Sequence, residues 1–132
     1  MSRVYVRFAL SIGVALAVAA CTSSSTAPSS SGGDVTPVAG TTITITSSGV
    51  SPKNLLVSPG TQVTFVNNDS RAHTMNSDPH PEHGDCPAVN NVGFLNPGQS
   101  RQTGNLNVVR ACGYHDHDLP SSTSLQGTIT TR

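Results

Sequence analysis

The chain has 132 residues, with seven basic and seven acidic side chains and a formal net charge of zero. It is 35% hydrophobic and 4% aromatic, has no Trp, and carries 12 Gly and 9 Pro. Those figures leave room for one domain, offer no basic field for nucleic acid, and argue against a helical bundle. Five His in so short and neutral a chain are the unusual feature.

Residues 1–20 read as an export signal. Arg3 and Arg7 supply a positive start, and residues 8–20 form an apolar stretch too short for a permanent membrane span. The stretch ends in Val18-Ala19-Ala20-Cys21, which resembles the bacterial lipobox, where cleavage precedes a Cys that becomes lipidated. The expected mature chain begins at Cys21, carries five basic and seven acidic side chains, and is anchored by lipid in the bacterial cell envelope, on a periplasmic or outer-membrane face. That compartment is oxidising. Residues 21–40 continue as a Ser/Thr/Gly/Pro linker with little to bury. Residues 41–132 are left to fold.

That remainder reads as short strands. Residues 41–47 alternate Ile43 and Ile45 with Thr, the period-2 pattern of a half-buried strand. Residues 54–58 form a second run before the Pro59-Gly60 turn, and residues 62–67 a third, with Val63 and Phe65 on one face. Asn67-Asn68-Asp69-Ser70 is turn chemistry. Residues 72–76 make a fourth strand. Residues 77–92 hold three Pro and no usable period, so they read as a loop. Phe94-Leu95 precede a second turn at Pro97-Gly98, followed by strand candidates at 99–108, 111–117 and 125–131. Six to eight strands without a convincing helix indicate an all-β antiparallel sandwich.

The run Val50-Ser51-Pro52-Lys53-Asn54-Leu55, then Val57-Ser58-Pro59-Gly60-Thr61-Gln62-Val63-Thr64-Phe65-Val66-Asn67-Asn68-Asp69, then His73-Thr74, resembles the first half of a cupredoxin, the plastocyanin-like blue-copper family. Leu95-Asn96-Pro97-Gly98-Gln99-Ser100, a Cys/His-rich segment and Gly127-Thr128-Ile129 fit the second half in outline. The resemblance covers residues 41–132 and implies a cupredoxin-like Greek-key β-sandwich with copper at one end. It places His73 at the first ligand position of the family.

The departures from that pattern bear on the site. A blue-copper centre uses two His, a Cys thiolate and a weak axial Met. Cys112-Gly113-Tyr114-His115 mimics the family's Cys-x-x-His, but Cys112 follows the Pro97-Gly98 turn too closely for the usual ligand position. Leu125 stands where the family often has Met, and Gln126 beside it is a weaker axial candidate. With Cys21 lipidated, Cys86 and Cys112 remain as a pair for a disulfide, which would tie the His-rich loop to the strand beside it. A Cys112 thiolate on copper is the alternative, and it leaves Cys86 unpaired.

All five His lie between residues 73 and 117. His115-Asp116-His117 puts two imidazoles on one side of an extended chain, about 7 Å apart, so both can reach one metal. Because Cys112, Tyr114 and Asp116 share one parity, a break in the strand near His115 is expected, with Asp116 orienting an imidazole N–H. His83 is the expected loop ligand. His80 is a weaker candidate, and both also read as exposed polar residues. Met75 shares a strand face with His73, as a soft sulfur ligand or, more simply, a core residue. An imidazole-rich donor set suits copper first and zinc second.

The expected function is a lipid-tethered copper-binding protein that handles copper or transfers electrons, with a redox or copper-handling protein as partner. The alternatives are a copper redox enzyme of superoxide-dismutase or red-copper type, and a metal-free binding module. No nucleophile–base pair supports other catalysis.

Overall fold

The computed structural model describes residues 36–132. The export segment, Cys21 and most of the expected linker lie outside the described residues. Ten strands follow in chain order: β1 (Val38–Ala39), β2 (Thr42–Thr46), β3 (Gly49–Ser51), β4 (Asn54–Val57), β5 (Thr64–Asn67), β6 (His73–Ser77), β7 (Gly93–Leu95), β8 (Ser100–Gln102), β9 (Arg110–Asp116) and β10 (Gly127–Thr131). Single 3-10 turns at Val89–Asn91 and Thr123–Leu125 are the only helical segments among the described residues, and no helix there is long and apolar enough to cross a membrane.

The strands form two sheets, one of order β1-β4-β10-β9-β6-β7 and one of order β3-β2-β5-β8. The alternation read from the sequence is what packs them together. In β2, Ile43 and Ile45 are buried while the Thr residues beside them stay partly open. Val63 and Phe65 enter the same core, each such side chain contributing about 1.5–3 kcal/mol by leaving water. Phe65 of the small sheet meets Tyr114 of the large one edge to face, centroids 5.2 Å apart. This contact fixes the side of β9 that faces inward. Burial pushes the Tyr114 phenol well above its ordinary pKa, and its hydroxyl donates to the Lys53 carbonyl.

Several expectations need correction. The sandwich is not purely antiparallel: β1 with β4, β4 with β10, and β2 with β5 run parallel. The first pairing, Val38 and Ala39 beside Leu55 and Leu56, falls within the stretch read as linker. The strand expected over 99–108 shrinks to β8, because Thr103 turns inward and binds Val63 through both its backbone and its hydroxyl. Short β3, entered through Gly49 at φ 121°, was not visible as a pattern.

The loop after β6 is held to β9 by a Cys86–Cys112 disulfide, Cα atoms 5.7 Å apart. Closing a loop of this size contributes about 3–4 kcal/mol in the chain-entropy picture. Neither sulfur is therefore a free thiolate.

Candidate metal centre

Strand register decides which histidines can meet. β6 pairs with β9 so that Met75 lies opposite Asp116 and Asn76 opposite His115. Cys112, Tyr114 and Asp116 face the core, so His115 projects from the other side of the sheet. It is nevertheless only 2% exposed, because the loop between β6 and β7 covers it. The strand continues through His115 to Asp116 rather than breaking at His115, and His117 follows with its backbone N–H donating to the Thr74 carbonyl.

The covering loop is built from backbone-directed contacts. The His83 N–H donates to the Pro79 carbonyl and the Asp85 N–H to the Asp78 carbonyl. The His83 carbonyl accepts from Ser77 Oγ and from Asn90 Nδ2, both at 2.8 Å. Asn90 Oδ1 in turn accepts from the Ser77 N–H at 2.8 Å, so one amide clamps the loop to the end of β6. His83 itself adopts a left-handed backbone, φ 52°, uncommon for a residue with a Cβ. The clamp on its carbonyl holds it there. Val89 and Val92 anchor the far end of the loop in the core.

On this scaffold His80, His83, His115 and His117 converge. One ring nitrogen from each lies within 4.8 Å of every other, an arrangement able to hold a metal ion. Ring centroids of His83 are 4.9 Å from those of His117 and 5.2 Å from those of His115, and His80 stands 5.0 Å from His117. His83 Nε2 and His117 Nδ1 are 3.2 Å apart. His115 Nδ1 lies 2.7 Å from Asp78 Oδ1, and His115 Nε2 is buried with no hydrogen-bond partner. A buried imidazole nitrogen without a partner is costly, and a metal at the centre of the four rings would satisfy it. Burial, and then the neighbouring His115, His117 and His80, lower the His83 pKa below its ordinary value. A neutral ring is the form that binds metal.

The remaining sequence candidates lie elsewhere. His73, expected as the first ligand, is fully buried on the core side of the sheet. Its Nδ1 is 2.7 Å from Asp116 Oδ2 and its Nε2 is 3.1 Å from Asp69 Oδ2, so both ring nitrogens are taken by carboxylates. Asp116 accordingly orients His73 and the backbone of Thr74 and Asp118, not a ring of the four-histidine group. Met75 is a core residue with no exposure. Gln126 donates to the Pro120 carbonyl at 2.6 Å. His80, the weaker loop candidate, is brought into the four-histidine group, whereas His73 is not. Sequence reasoning missed Asp78 and Asn90, which sit in a stretch with no periodicity to flag them.

Burial also pushes the Asp69 carboxyl up, but hydrogen bonds from Arg71, His73 and the Ser70 backbone outweigh it and hold the pKa at about 2.

The fold is that of the cupredoxins, a mixed Greek-key sandwich. The chain is similar to a novel purple cupredoxin from Nitrosopumilus maritimus, with 22% identity, coverage of 70% of this chain and 100% of that one, and a TM-score of 0.55. It is similar to oxidised plastocyanin from Dryopteris crassirhizoma, with 16% identity, coverage of 69% and 99%, and a TM-score of 0.54. A reduced amicyanin mutant matches with 14% identity, coverage of 69% and 80%, and a TM-score of 0.54. Neither a protein-family model nor a curated protein matches the sequence.

Proposed function

We propose that this chain is a copper-binding protein of cupredoxin fold that holds the metal through His80, His83, His115 and His117. The observation that carries the reading is the convergence of four imidazoles, one of which, His115, has its Nε2 buried without a hydrogen-bond partner. Four imidazole nitrogen donors without thiolate suit Cu(II) first, with zinc as the competitor. When bound, copper would supply one-electron redox chemistry or serve as cargo. The chain's own part is to lower the His83 pKa, fix the directions of the rings, and bring the ion near the surface beside exposed His80. Because the Cys86–Cys112 disulfide removes the thiolate, copper handling is favoured over rapid electron transfer.

Exposed His80 also keeps a second reading in play, a copper redox enzyme with a solvent-reachable ion. Turnover of superoxide by the copper-loaded protein separates the two. Attachment to the cell envelope through lipidated Cys21 is part of the proposal and rests on the order of apolar stretch, small residues and Cys. Cys21→Ser should release the protein from the membrane fraction.

The central test is titration of the purified mature chain with Cu(II), followed by visible and paramagnetic resonance spectra. One tightly bound ion with coupling to imidazole nitrogens and no intense thiolate-to-copper band is expected. A strong thiolate band, or no binding, overturns the reading.

A further inference from the structure

Asp78 stands out because it touches the four-histidine group from outside and is itself held on three sides. Its Oδ1 lies 2.7 Å from His115 Nδ1. Its backbone N–H donates to the Gly113 carbonyl at 3.1 Å, and its own carbonyl accepts from the Asp85 N–H at 2.9 Å. Oδ2 rests against Gly113, where a Cβ would overlap it. A side chain on β9 at that point would expel the carboxylate, so glycine at 113 leaves the berth that Asp78 occupies.

We propose that Asp78 is a positioning residue of the metal centre, committing His115 to bind through Nε2 and biasing the site toward a divalent ion. The inference rests on the copper reading of the four histidines. A neutral imidazole carries one N–H, and the nitrogen that keeps it is set by its hydrogen bond. With Nδ1 donating to Asp78, the lone pair falls on Nε2, the buried atom that has no other partner. The carboxylate also makes the imidazole more electron-rich and places negative charge one ring away from the ion, which stabilises a dication more than a monocation. Asp116, between His115 and His117 in sequence, cannot do this, because on the core side of the sheet it is bonded to His73 of the neighbouring strand. Among the described residues, no other ring of the group is given a carboxylate partner by a hydrogen bond.

The alternative is that Asp78 merely ties the loop to β9. Asp78→Asn and Asp78→Ala separate the two roles, since Asn keeps an acceptor of the same shape without the charge. The mature chain and both variants are titrated with Cu(II) and with Cu(I) against competing chelators. Nitrogen-15 NMR of the metal-free proteins reads the His115 tautomer. Expected for Asp78→Ala is a loss of about 10–100-fold in Cu(II) affinity with loss of the pure Nδ1–H tautomer. Expected for Asp78→Asn is a retained tautomer with a lowered ratio of Cu(II) to Cu(I) affinity. A wild-type chain that binds no copper overturns the copper reading. Wild-type binding, with the affinity ratio and tautomer unchanged in both variants, overturns this proposal alone. Gly113→Ala, which displaces the carboxylate while residue 78 stays Asp, should reproduce the Asp78→Ala pattern, and wild-type behaviour there also counts against it.

Discussion

His73 Nδ1 lies 2.7 Å from Asp116 Oδ2 on the core side of the large sheet, while His115, the next residue back along the strand, projects from the opposite side. Two histidines in adjacent paired strands are thus kept from sharing one ion by the pleat alone. Replacing His73 should accordingly act on stability and not on metal. His73→Ala leaves Asp116, 1% exposed, without its ring partner, and breaking a buried pair of this kind costs about 3 kcal/mol or more. Copper affinity of the folded fraction should match wild type, whereas His117→Ala should lose it. Denaturant unfolding and competition titration check the two halves. A large affinity loss in His73→Ala with intact folding would return His73 to the metal.

That contrast shows where the sequence stops being readable. Alternation in residues 41–47 and 62–67, the two Pro-Gly turns and the pairing of Cys86 with Cys112 are local or compositional signals, and they carry the sandwich and its cross-link. His115-x-His117 is likewise local, since parity alone puts both rings on one side. Which side that is depends on the pairing of Met75 with Asp116 and on the path of the Asp78–Val92 segment, both long-range. Nothing in that segment's spacing shows that His80 and His83 fold over the outer face. Asp78 and Asn90 act through partners 37 and 13 residues away, so no motif marks them.

The disulfide joins Cys86, three residues after His83, to Cys112, three residues before His115. It ties the loop that carries His80 and His83 to the strand that carries His115. A Cys86→Ser, Cys112→Ser variant should lose about 3–4 kcal/mol of stability and bind copper more weakly, because the loop must then be ordered by the metal. Unfolding curves with and without copper measure this. The stabilisation by copper should be smaller in the variant than in wild type. An unchanged copper affinity would show that the loop keeps its place without the cross-link.

Asn90 supplies both ends of its amide to the loop clamp, donating to the His83 carbonyl and accepting from the Ser77 N–H. Asn90→Asp keeps one acceptor but turns the donor into a second acceptor facing a carbonyl. Asn90→Ala leaves the Ser77 N–H unmet, at a cost of about 1–3 kcal/mol. His83 then loses one of the two bonds that hold its left-handed backbone. Both variants should show faster amide exchange at residues 78–85 and weaker metal binding than wild type. Hydrogen exchange that stays unchanged across this stretch would assign the clamp to other contacts.

The lowered pKa of His83 gives a pH dependence whose sign is fixed. The ordinary value is 6.5, and burial and the three neighbouring rings move the folded protein below it. As pH falls through 6.5, the unfolded chain takes up a proton at this residue before the folded one does, so the metal-free protein loses stability from there down to the folded pKa. Well above 6.5, where both states have lost the proton, the group contributes no slope. Copper affinity should fall over the same acid range, because proton and metal compete for one lone pair. Proton NMR of the ring and unfolding at a series of pH values report the two effects separately. A His83 ring that titrates at or above 6.5 in the metal-free protein would mean that its neighbours are not packed against it in solution. The convergence of the four histidines would then require the metal to assemble it.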